Sequence, residues 1–275
     1  MLEKYDRLVQ ECTPYAVLNE QIKSFCNLKP LGLSLEAGRL ISPHSRQSDS
    51  FLSAVQWLDK MTFGFAGMEM PRWVFYDCSE MPGGICGFCL PSKRIPSTLF
   101  QQESCSPLDL DLIPISMAIA IPMVENGSWH KHTLCSINEM SSLAAPAGLR
   151  TVSFAMALDL FKVKTLYSTT QWRSSELRIH TKFGELELLT AYTPAHSDAR
   201  TLTYRFQVDR NRVARALSGR DCYMKTPKSA FFMDADNTDE MISVQKRLEA
   251  GEKISVCGRP IRDGSTTWIP LRITG

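Results

Sequence analysis

The longest apolar stretch of the chain, Ile113 to Val124, runs for 12 residues and contains Pro114 and Pro122. A membrane-crossing helix needs about 20 apolar residues, so this stretch is predicted to be a buried strand of a globular fold. The residues that follow extend that reading. Asn126-Gly127 is a hairpin turn signal, and His130 to Met140 would be the returning strand. Gly148 to Phe161 then repeats Leu149, Val152, Met156 and Leu160 on one helical side, before a strand from Lys164 to Thr170. Ser174 or Ser175 can cap a helix that runs to about Phe183 and buries Leu177, Ile179 and Phe183. Leu186 to Tyr192 and Thr201 to Val208 return as strands. The predicted order is β, β, α, β, α, β, β.

Upstream, residues 1–26 read as helix around a break at Pro14, with Leu8, Val9, Cys12, Tyr15, Leu18, Ile22 and Phe25 at helical spacing. A second helix is predicted to start near Ser48 or Asp49, to bury Phe51, Val55 and Leu58, and to close at Gly64 and Gly67. Trp73 to Tyr76 and Ile85 to Leu90, around the polar turn Ser79 to Gly84, read as a β-hairpin. Beyond Asp209 come a basic amphipathic segment (Arg210, Arg212, Arg215, Arg220), a helix from Asp239 to Ala250, and a hairpin turning at Asp263-Gly264. Three regions are therefore expected: a helical N-terminal extension with the first part of the fold over 1–70, a core over 71–208 and a small α+β appendage over 209–275.

Charge and cysteine usage narrow the function classes. With 31 Lys plus Arg against 29 Asp plus Glu the formal net charge is only +2, so no overall field attracts nucleic acid or an anionic membrane. Any anion site must be local. Glu3, Lys4, Asp6 and Arg7 interrupt the apolar run that an export signal requires. Nine cysteines at irregular spacing fit reduced, buried thiols, so a cytoplasmic location is expected. Cys86-Gly-Phe-Cys89 has the spacing of redox and zinc motifs, but positions three apart on a strand face opposite ways and no second pair follows. They are read as structural. His130 and His132 would share one strand face, and with His196 they offer a metal-dependent hydrolase reading. No further ligand is evident, and no metal site is assigned.

The segment Leu177-Arg-Ile-His-Thr-Lys-Phe-Gly184 resembles the closing signature of the GNAT acyltransferases, Leu-Tyr-x-Lys-x-Gly-Phe, with Ile179, His180, Lys182 and Gly184 matching in spacing. His180 stands where the family has a tyrosine that often protonates the departing thiolate, and Glu185 stands where it has the last phenylalanine. Pro146-Ala-Gly-Leu-Arg-Thr151 is similar to the family's Arg/Gln-x-x-Gly-x-Gly/Ala loop, which cradles pyrophosphate. Gly148 matches the first glycine, while Ala145 and Arg150 replace the basic and the second small residue. Independently of the name, a helix N-terminus offers free N–H groups and about half a positive charge to an anion. Ala147, Gly148, Leu149, Arg150 and Thr151 are the expected donor-binding residues, with Arg150 adding a charge-assisted contact.

The resemblance implies a mixed, mainly antiparallel α+β sheet flanked by helices. It also implies acyl transfer from coenzyme A, or from an acyl carrier protein, to an amine by direct attack. Catalytic candidates are His180 as acid and Glu139, near the end of the central strand, as base, although the family's carboxylate often lies at the position of Ser136. Trp172 and Arg173 are candidates to shape the acceptor pocket. The acceptor would be a small-molecule or protein amine. Arginines three apart in the 210–220 segment could receive an acidic carrier, and a homodimer is compatible with the reading. The alternative is a catalytically inactive module on the same scaffold that binds a ligand or protein.

Overall fold

The computed structural model describes residues 2–36, 38–81, 83–96, 110–137, 145–196, 198–223, 225–228 and 230–274. Two compact units emerge: unit 1 is Met1–Gly127 with Lys131–Val163, and unit 2 is Ser128–His130 with Lys164–Gly275.

Unit 1 opens with α1 (Asp6–Glu11), β1 (Thr13–Leu18) and α2 (Glu20–Lys23), where helix alone was predicted. Tyr15, Ala16, Val17 and Leu18 are all buried, so both faces of β1 are covered. Burial on two faces leaves no alternation, and the spacing of Tyr15, Leu18 and Ile22 then imitates a helix. A short strand β2 (Arg39–Ile41) precedes α3 (Arg46–Phe63). As predicted, α3 buries Phe51, Val55 and Leu58.

The second correction falls at Trp73 to Tyr76, predicted as strand but lying in α4 (Arg72–Glu80). Phe75, Cys78 and Ser79 are the buried positions of this helix, while Trp73 and Tyr76 face outward. Their spacing of three and four fits a helix face, and full burial of Phe75 contributes about 1.5–3 kcal/mol. Aromatic β-propensity loses to packing here.

Strands β3 (Gly84–Pro91), β4 (Leu112–Pro114), β5 (Ser116–Pro122) and β6 (Ser128–Ser136, of which Lys131 onward belongs to unit 1) follow, and unit 1 ends in α5 (Leu149–Leu160). The strand order in this part is β6, β5, β3, β1, β2, with β4 also paired to β3. β1 and β3 are antiparallel, whereas β1 and β2 are parallel. The apolar run that began the sequence reading divides at Ile115 into β4 and β5, both paired to β3. Where β3 passes β5, a Cβ on Gly87 would lie 2.0 Å from the Ser116 carbonyl oxygen, so the close approach requires glycine. Ser116 is also a polar node of the core. Its hydroxyl accepts from the Phe88 N–H (3.0 Å) and from the Ser153 hydroxyl (2.7 Å), and its carbonyl accepts from Tyr15 (2.9 Å).

Unit 2 contains β7 (Thr165–Gln171), α6 (Ser175–His180), β8 (Leu186–Thr190), β9 (Thr201–Gln207), α7 (Arg210–Leu217), β10 (Phe231–Asp234), α8 (Thr238–Glu249), β11 (Ile254–Val256), β12 (Ile261–Asp263) and β13 (Thr266–Ile273). Its strand order is β10, β13, β11, β8, β9, β7, with β12 on β13. The pairs β10–β13, β11–β13, β8–β11, β12–β13, β7–β9 and β8–β9 are all antiparallel. Residues 209–275, expected as an appendage, thus enter the same sheet region, because β11 pairs with β8. The predicted hairpin at Asp263-Gly264 is present, with Gly264 at φ +58°. The fold is a mixed, mainly antiparallel sheet flanked by helices. No helix among the described residues is long and apolar enough to cross a membrane.

Candidate active site

In unit 1 the candidate donor loop forms the head of α5. Ten of that helix's 12 residues are buried, and Gly148 is its N-cap at φ +91°. Two constraints select glycine there. The left-handed φ is strained for any other residue, and a Cβ would stand 2.2 Å from the Tyr5 ring. Tyr5, a residue the sequence reading passed over, is 7% exposed and covers this side of the loop. Ala147 is exposed and Gly148 and Arg150 are half-buried, while Leu149 and Thr151 are buried. The Gly148 carbonyl accepts from Val152 (3.0 Å), but the N–H groups of Ala147, Gly148 and Leu149 donate to none of the described residues. The loop therefore keeps unspent donors on a helix end, which favours an anion by ~0.3–1 kcal/mol at an exposed site and by up to ~2 kcal/mol when partly buried. Glu139, the candidate base, lies outside the described residues. Ser136 is 2% exposed.

In unit 2 the other candidates are packed more deeply. Trp172 is 1% exposed and its indole N–H donates to the Ala191 carbonyl (2.7 Å), so it fills the core of this unit. Arg173, next to it, points outward and pairs with Asp236. His180, near the C-terminal end of α6, has 0% exposure. Its Nδ1 meets the Tyr204 hydroxyl, and the two rings pack edge to face with centroids 5.8 Å apart. Tyr204 is the cross-strand partner of Ser168. Burial, then the charge of Glu176, push the Tyr204 phenol well above its usual range, against the opposing effect of the Ser168 hydroxyl. Sequence reasoning found His180 but missed Tyr204 and Glu176, which carry no motif. The alternation of β9 is the signal that could have placed Tyr204 on the inner face.

The remaining sequence candidates have defined places. Cys86 and Cys89 are free thiols with 0% exposure, their ionisation pushed upward chiefly by burial. His130 and His132 both lie on β6, and among the described residues no three His, Cys, Asp or Glu side chains gather as a metal site. On α7, Arg212 does not belong to a free basic face. Its guanidinium donates to the carbonyls of Thr181 and Cys222, and burial lowers its pKa.

No family model matches the sequence, and no curated protein matches it. Solved structures do. A chain of the NatC complex, crystallised with Gag peptide and CoA, is 13% identical at a TM-score of 0.40, over 61% of this chain and 96% of its own. A Lactobacillus plantarum protein assigned as an N-acetyltransferase is 10% identical at a TM-score of 0.35, over 60% and 94%. A Klebsiella pneumoniae protein assigned as an acyl-CoA N-acyltransferase is 11% identical at 0.29, over 61% and 93%. At 10–13% identity the likeness to these three structures is one of fold alone.

Proposed function

We propose that the chain transfers an acyl group from coenzyme A to an amine. One observation carries the reading: the head of α5, where Gly148 at φ +91° leaves the N–H groups of Ala147, Gly148 and Leu149 without acceptors among the described residues. Such a helix end suits the pyrophosphate of the donor, and it coincides with the stretch that resembles the family's phosphate loop. Arg150, half-buried at the second helical position, adds cationic charge on the same turn.

The reaction is direct attack. The amine nitrogen forms a C–N bond with the thioester carbonyl carbon, and the C–S bond breaks. The attacking nitrogen sheds one proton, and the thiolate leaves with the bonding pair and takes up one proton in turn. His180, at the position of the signature's tyrosine, is read as a positioning residue that holds Tyr204, because its ring has no exposed surface from which to reach a thiolate. The donor is read as coenzyme A; an acyl carrier protein would present the same phosphopantetheine thioester without the nucleotide.

Thermal unfolding during titration with coenzyme A tests the proposal. A ligand selective for the folded chain stabilises it by about 2.7 kcal/mol at 100 times its dissociation constant, so a saturable rise in midpoint is expected. No rise at millimolar coenzyme A and acetyl-CoA would remove the transferase reading and favour a diverged binding module.

A further inference from the structure

The structure offers a second polar feature in unit 1 that the donor loop does not use. Between α4 and strands β5 and β6 lies a groove of about 260 Å³. Trp73, Val74, Met81 and Ile121 make its walls, and Asp77 and His132 are its titratable members, together with the Cys78 thiol. The volume lies just below the ~300 Å³ lower end of pockets for drug-sized ligands, so the occupant is the size of a single side chain. Trp73 and Met81 remain 63% and 58% exposed, an apolar surface left uncovered by the unit itself.

The carboxylate of this groove differs from that of the neighbouring groove in being uncommitted. On the other side of Trp73, a second groove contains Asp49, but that carboxylate is paired with Arg72. Asp77 has no ion pair and no side-chain hydrogen bond with any described residue. A carboxylate bordering an apolar groove favours a cation there. His132 is oriented by its neighbour. His132 Nδ1 lies 3.0 Å from the Thr133 hydroxyl, which also contacts the Met70 sulfur (3.7 Å); in the tautomer that donates from Nδ1 to that oxygen, the Nε2 lone pair is a proton acceptor. Burial, then the charge of the adjacent Lys131, hold the imidazole below its ordinary value, which favours the neutral form.

We propose that this groove is the acceptor site and that it takes a primary amine with a short apolar side chain, Asp77 pairing with the ammonium and His132 Nε2 removing one proton. The inference rests on the acyltransferase reading for its consequence and on the groove alone for its ligand. In the proton step one N–H bond of the ammonium breaks and an Nε2–H bond forms. The amine gains its free lone pair, and the positive charge stays in the groove on the imidazolium. Asp77 and Cys78 from α4 are the other titratable groups lining the groove, and Lys131 from β6 is the charged group that acts on the ring.

Hexylamine and hexanol, titrated calorimetrically into the full chain without thioester, separate the parts. Hexylamine should bind about 10-fold tighter than hexanol, and Asp77→Asn should erase that difference while hexanol binding is unchanged. Trp73→Ala should weaken both. Equal affinities, or an Asp77→Asn variant with unaltered preference and an unaltered melting midpoint, would overturn the site. The coenzyme A response read on the same samples tells the two proposals apart. A coenzyme A shift without amine preference sinks the groove alone, and an Asp77-dependent amine preference without a coenzyme A shift sinks the transferase alone. With hexylamine as acceptor, His132→Gln should lower kcat by about 100-fold and leave the hexylamine dissociation constant within about twofold; an unchanged kcat would remove the proton role.

Discussion

The head of α5 in unit 1 and the His180 cluster in unit 2 are both polar, both matched to signature positions, and opposite in how they treat their polar groups. Around Gly148 the backbone keeps donors without acceptors and Ala147 is exposed. Around His180 the imidazole, the Tyr204 phenol and the Ser168 hydroxyl are all at 0% exposure and face one another. An unsatisfied donor in contact with solvent can be given to a ligand at little cost. A buried pair already spends its hydrogen bond on the fold, and breaking it costs about 1–3 kcal/mol. Signature spacing therefore marks positions, while burial divides them into groups available to a ligand and groups that hold the scaffold.

The largest expected effect breaks that contrast on its buried side. His180→Ala should destabilise the chain by about 3 kcal/mol, combining a cavity with an orphaned Tyr204 hydroxyl, while coenzyme A still raises the midpoint. Urea unfolding with and without coenzyme A measures both, and a stable variant with a lost response would make His180 part of the donor site. Next is Gly148→Ala. The φ of +91° and the Tyr5 ring 2.2 Å from the new Cβ predict a loss of about 2 kcal/mol together with loss of the coenzyme A response.

The smallest effect concerns Asp59, a group in unit 1 as buried as His180 but with a spare acceptor. It has 0% exposure, accepts from the Met70 N–H (2.6 Å) through Oδ2, and leaves Oδ1 without a partner. Burial pushes its carboxyl up to about 6, with Glu69 adding to the shift and Met70 opposing it. A folded pKa above the unfolded one means the fold prefers the protonated form. The associated stability is fully present below about pH 4 and is lost as pH rises through about 6. Asp59→Asn should thus gain about 1–2 kcal/mol relative to the parent between pH 4 and pH 8. Parallel stability profiles for the two proteins would show that the carboxyl is solvated.

Much of the fold could be read before any coordinates. The apolar run from Ile113, the Asn126-Gly127 turn, the helix after Gly148 and the strands ending near Thr170, Thr190 and Gln207 all lie within a few residues of their observed places. Each is a local pattern with a local cause. The misreadings at Thr13–Leu18 and Arg72–Glu80 arose where burial on two faces or exposed aromatic residues removed the usual periodicity. At the candidate site, Gly148 was legible because a turn into a helix calls for glycine. Tyr5, 143 residues earlier in the chain, was not, since no local rule links it to the loop.

By itself the sequence determined the order of strands and helices from β6 to β9, the small net charge, and the positions at which a phosphate-binding turn and a closing signature helix could stand. These follow from periodicity, turn chemistry and residue type, which act over a few residues. Tertiary structure alone decided that Trp172 and His180 are core, that Asp77 and His132 share a groove, and that Tyr5 lies over Gly148. Burial and long-range pairing are properties of what the folded chain brings alongside a residue, and that is set by segments far away in sequence.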